Sequence, residues 1–190
     1  MTLNIHNLKI KSFVLSIFFL FFCFLNIPVF SQTDKNDNFL NSNEEIRAEY
    51  GNWLQICEKV KSKCVGVQFA LNVEGNRAAR FIIERIKENA DTVAVSLITV
   101  FVPFESNIPI LPNGITFIVD TKEPFTEQFL FCDQLGCTSQ FGLTKQGIDL
   151  LMEGANLSMV IIDIRDPNNK FIVDIDLENF ETLYNNISAK

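Results

Sequence analysis

Histidine is nearly absent. The one imidazole is His6, inside an N-terminal segment that reads as a removable leader, so the remaining chain has none. This excludes Ser-His-Asp and Cys-His catalysis. It also takes away the commonest nitrogen ligand for zinc and copper. Basic runs are missing too. No Lys/Arg stripe follows the leader, and the net charge of −7 becomes about −9 once Lys9 and Lys11 leave, because residues 1–31 hold no Asp or Glu. Negative protein repels phosphate backbones, which argues against nucleic acid and anionic membrane surfaces as partners. No Gly-rich phosphate loop or dinucleotide fingerprint is present.

What is there begins with the leader. Lys9 and Lys11 precede a nearly pure apolar run, Ser12 to Leu25, and Pro28 breaks the segment that follows. Val29-Phe30-Ser31 offers a cut before Gln32. This is the layout of a signal peptide. Its apolar core of about 14 residues falls short of the ~20 that span a bilayer. Residues 1–31 are therefore read as a cleaved signal peptide, and membrane contact ends with its removal. A lipid anchor on Cys23 is disfavoured by the bulky Leu20-Phe21-Phe22 before it. Residues 32–46 are polar and Asn/Asp-rich, and read as a flexible linker. Residues 47–190 form the folded domain.

Five cysteines become four after cleavage: Cys57, Cys64, Cys132 and Cys137. An even number in an exported chain makes disulfides the default. Of the three pairings, the local ones, Cys57–Cys64 and Cys132–Cys137, are preferred because each closes a short hairpin. Six residues separate the first pair and four the second. A Cys₄ zinc site needs two knuckles of about two to four residues, so only one pair fits. A redox centre places two residues between its cysteines at a helix start, and neither pair does. No metal and no cofactor is expected.

Strand-like, β-branched and aromatic stretches recur: Trp53–Cys57, Val65–Val73, Arg80–Ile86 and Val93–Val102. A helix over residues 77–90 remains open, since Ala78, Ala79, Ile82, Ile83 and Ile86 also fit one helical face. A Pro112-Asn113-Gly114 turn leads into an apolar strand ending at Asp120. Phe125, Phe129 and Phe131 then lead to Cys132, and a tight loop returns the chain to Cys137. Thr144 caps a short helix that Gly154 stops. Leu157–Ile164 and Phe171–Ile175 flank an Asp166-Pro167-Asn168-Asn169 turn. Leu177–Ile187 closes the chain as an amphipathic helix. About eight short strands with regular turn signals argue for a mainly β fold, an antiparallel sandwich or barrel. The expected form is an antiparallel β-sandwich, jelly-roll-like, with one or two short helices including the C-terminal one.

Carboxylates are the remaining acid–base candidates: Glu84, Asp120, Glu123, Asp163, Asp166, Asp174 and Asp176. A His-free, carboxylate-based glycan hydrolase is the alternative to a binding protein. No pair is set together by spacing, so no catalytic residue is assigned. Asp163, Arg165, Asp174 and Asp176 read as the solvent face of a hairpin, and Asp120 as a cap on the Thr121–Glu123 turn. Trp53 reads as core rather than a stacking platform. The phenylalanines outside the leader alternate like core residues, with an apolar groove for a partner as the other reading.

Several residues together resemble a family. They are Gly51-Asn52-Trp53 with Cys57, then Leu111-Pro112-Asn113-Gly114-Ile115, Asp120, and Phe129 with Cys132, Gly136 and Cys137. Gly154 with Leu157 and the Leu177–Phe180 segment follow. This pattern, over roughly residues 50–187, resembles the invasion-associated locus B family of bacterial exported proteins. The family usually writes Asp where this chain has Asn52, and Gly where it has Asn179. The resemblance implies a periplasmic or secreted bacterial protein with no established enzymatic activity. Its partner would be an unidentified protein or envelope component, and some members are linked to host-cell invasion. It marks Gly51, Trp53, Pro112, Gly114, Asp120 and Gly136 as motif positions without giving them a catalytic, cofactor or metal role.

Overall fold

The computed structural model describes residues 40–61, 63–86 and 93–187. The expected signal peptide and most of the expected linker lie outside them. The described residues form eleven strands: β1 (Glu44–Tyr50), β2 (Trp53–Glu58), β3 (Cys64–Asn72), β4 (Arg77–Arg85), β5 (Ala94–Pro103), β6 (Ile115–Val119), β7 (Phe125–Glu127), β8 (Phe129–Cys132), β9 (Gly136–Thr144), β10 (Asn156–Ile162) and β11 (Lys170–Asp176). Two α-helices join them, α1 (Lys145–Glu153) and α2 (Phe180–Asn186).

All eleven strands belong to one antiparallel sheet, ordered β7-β6-β10-β11-β3-β4-β5-β9-β8, with β1 and β2 branching from β3. The two ends of this path, β7 and β8, are consecutive in the chain and separated by Gln128 alone. The sheet must therefore curl until its ends meet. It is barrel-like, which corrects the expected two-layer sandwich. A sandwich needs two sheets that do not pair with each other, whereas here each neighbour on the path is hydrogen-bonded to the next. Aromatic rings fill the seam. Phe117 on β6 lies 5.1 Å from Phe141 on β9, and Phe125 on β7 lies 6.1 Å from the same ring.

The branch at β3 has a polar device of its own. On the edge away from β4, Cys64–Val67 pair with β2, whereas Leu71 and Asn72 pair with β11. Buried Gln68 spans the gap. Its Nε2 donates to the Asp176 carbonyl at 2.8 Å, and its Oε1 accepts from the Asp176 N–H at 2.8 Å. The side-chain amide thus stands in for a strand's peptide group. Trp53, fully buried, donates Nε1 to the same carbonyl at 2.9 Å.

The segment that also fits a helix is strand β4. Phe81 and Ile83 turn into the core while Arg80 and Ile82 lie on the other face, the period-two pattern of a sheet. β1 starts at Glu44, inside the residues read as linker. Its Glu45, Arg47 and Glu49 are exposed and its Ile46, Ala48 and Tyr50 half-buried, an alternation with too few apolar residues to stand out. α2 begins at Phe180 rather than Leu177, and packs Phe180, Leu183 and Tyr184 inward. Gly66 makes room for it, because a Cβ there would sit 2.5 Å from Leu183 Cδ2.

Candidate functional site

Both local disulfides are present. Cys57 and Cys64 stand opposite one another across β2 and β3, and Cys132 and Cys137 across β8 and β9. The second pair pins a loop that Asp133 also shapes, accepting from the N–H groups of Leu135 at 2.8 Å and Gly136 at 3.1 Å. Gly136 is required by close approach, since a Cβ would meet the Val102 carbonyl at 2.3 Å.

This stapled hairpin carries its apolar residues outward. Leu130, Phe131 and Leu135 are 63%, 53% and 71% exposed. Of the two readings of the phenylalanines, Phe131 takes the outward one, because β8 is an end strand bonded only to β9. From Glu123 to Thr144 there is no Lys or Arg, while Glu123, Glu127 and Asp133 are acidic. Apolar side chains held at a rigid, acidic tip are what a binding surface presents.

The carboxylates are engaged in structure. Glu84 pairs with Lys63 at 3.5 Å. Asp120 does not cap its own turn. Exposed and in the left-handed region (φ 50°), it accepts from the N–H groups of Ala155 (3.1 Å) and Asn156 (2.9 Å), tying β6 to the start of β10. Glu123 is exposed in the connection between β6 and β7. Asp174 accepts from Ser158 Oγ at 2.6 Å. Asp176 accepts from Asn52 Nδ2 at 2.8 Å, and its peptide group is the one that Gln68 and Trp53 hold.

Asp163 and Asp166 do share a cavity with Ser106, Arg165 and Lys170. Yet Arg165 forks onto Asp163, with Nε 2.9 and 3.0 Å from its two oxygens. Those hydrogen bonds hold the Asp163 carboxyl down at about 2. A glycosidase needs one carboxyl raised to act as an acid, and Asp163 is moved the opposite way. Among the described residues, no cluster of three or more His, Cys, Asp and Glu could hold a metal ion. No helix of the described residues is long and apolar enough to cross a membrane.

The remaining motif positions are architectural. Gly51 (φ 61°) turns β1 into β2. Pro112 lies in a 3₁₀ turn, Leu111–Asn113, that Gly114 (φ 64°) ends. Residues 53–188 match the family model described as invasion associated locus B (IalB) protein. The chain belongs to the IalB family. A solved relative in fold is invasion associated protein b from Bartonella henselae, with a TM-score of 0.57 at 20% identity, covering 73% of this chain and 92% of that one. No curated protein sequence matches the chain.

As an IalB-family member, it departs from the usual motif at two places with physical substitutes. Asn52 gives Asp176 an amide donor where an Asp would add a second carboxylate. Asn179 holds the left-handed φ of 63° before α2, and Asn is among the few residues other than Gly that adopt it readily. Gln68 and the buried 2.7 Å bond between Ser96 Oγ and Tyr184 OH were missed from sequence. Their partners lie about ninety residues or more away in the chain. Two disulfides together with family membership point to an exported protein.

Proposed function

We propose that this IalB-family chain is an exported, disulfide-stapled protein that acts by binding a protein or envelope component. The β8–β9 hairpin is its contact surface. The observation that carries this is the outward display of Leu130, Phe131 and Leu135 on a loop locked by Cys132–Cys137. Leaving large apolar side chains in water at a rigid tip gains nothing for folding and favours association. Its site of action is the periplasm or the outside of a bacterial cell. The name of the Bartonella protein supports the finer reading that the contact serves host-cell invasion.

The test is a photo-crosslinking residue placed at Phe131 or Leu135 in the living bacterium, with exposed Lys170 as the control position. A discrete adduct from the hairpin positions and none from Lys170 supports the reading. Identical patterns from both, or none from either, would sink it. Release of reducing sugar from envelope glycans by the purified protein, lost in an Asp166→Asn variant, would favour a hydrolase instead.

A further inference from the structure

The outer face of β2, β3 and β4 holds a second hydrophobic feature. Ile56 and Val67 are buried, at 5% and 2% exposure, yet neither belongs to the continuous core cluster. With Val65 and Ile82 they line a cavity of about 200 Å³, which Asn41, Glu44 and Arg80 complete. It is smaller than the ~300–1,000 Å³ typical of drug-sized ligand pockets. Its walls are thus four aliphatic side chains on one side, with the Arg80 guanidinium, the Glu44 carboxylate and Asn41 on the other.

Arg80 is the anomaly. A guanidinium carries five N–H donors. Arg80 Nε is buried and unpartnered, and no hydrogen bond or ion pair joins the Arg80 side chain to any other described residue. Its Cζ lies 5.8 Å from the centroid of the Phe101 ring. Glu44 acts on it through charge without a hydrogen bond, and its Oε2 accepts from the Asn41 N–H at 3.0 Å. Burial outweighs that carboxylate and pulls the guanidinium below its ordinary value. A buried guanidinium N–H without an acceptor is costly. An oxygen acceptor brought by a ligand would relieve it, and carboxylate matches the planar fork in two parallel bonds.

We propose that this cavity is a binding site for a small aliphatic carboxylic acid. Its carboxylate sits on Arg80 and its short chain lies against Ile56, Val65, Val67 and Ile82. The cavity volume limits the body to a short chain.

Calorimetric titration of the full exported protein with hexanoate, 1-hexanol and hexylamine tests this, since the three share a chain and differ in head group. Hexanoate is expected to bind at least about tenfold tighter than either of the others. Arg80→Gln is expected to lose about tenfold or more of that affinity and to melt no lower than the parent, since it removes an unmatched charge. Arg80→Lys keeps the charge without the fork and is expected to bind between the two. Hexanoate binding no tighter than hexanol, or unchanged in Arg80→Gln, overturns the site. If Arg80→Gln fails to fold, the ligand comparison on the unaltered protein decides alone.

Discussion

Asn179 shows how far a single residue's conformation can be checked. At φ 63° a side chain without Asn's local hydrogen bonding costs about 1–2 kcal/mol. Asn179→Ala is expected to lower unfolding stability by about that much, and Asn179→Gly to stay within about 0.5 kcal/mol, as read from urea unfolding. Asp163 offers a pH test. Its folded value near 2 lies below its ordinary 3.8, so the Arg165 pair stabilises the fold fully above about pH 4. That contribution is lost as pH falls from about 4 toward 2. Asp163→Asn should flatten the acid limb of stability in this window, and only modestly, because Arg165 is about half exposed. Residue identity alone placed Trp53 in the core, since one large aromatic beside a half-cystine has few other homes. It could not place Asp120, whose partners Ala155 and Asn156 lie beyond α1.

Elements were legible where their signal is local. Thr144 was read as a cap, and its Oγ accepts from the Gly147 N–H at 3.2 Å before α1. Both stapled hairpins were legible because the cysteines and the turn between them lie within a few residues. β1 was not, because its alternation is carried mostly by charged residues. The same locality yields two tests. Gly136→Ala drives a Cβ to 2.3 Å from the Val102 carbonyl, so it should destabilise by about 1–3 kcal/mol. Replacing both Cys57 and Cys64 by Ala should lower stability by about 2–3 kcal/mol, the lower part of the usual disulfide range, because the closed loop is short. Denaturant melts under non-reducing conditions measure both.

Over the whole molecule, closure was what the sequence could not convey. Strand count and turn spacing suit a sandwich and a barrel equally. The difference lies in one residue, Gln128, which joins the two ends of the path and forces the sheet around. The site was legible in its frame of four cysteines, but the exposed tip was not. Leu130, Phe131 and Leu135 look like core until the sheet order shows β8 at an end. The export of this stapled barrel-like sheet is best tested on protein recovered from the native bacterial envelope or medium, alkylated before lysis and mapped by mass spectrometry without reduction. The account predicts an N-terminus near Gln32 and two linked peptide pairs, Cys57–Cys64 and Cys132–Cys137, with no alkylated thiol. A retained leader with Cys57, Cys64, Cys132 and Cys137 alkylated would contradict it.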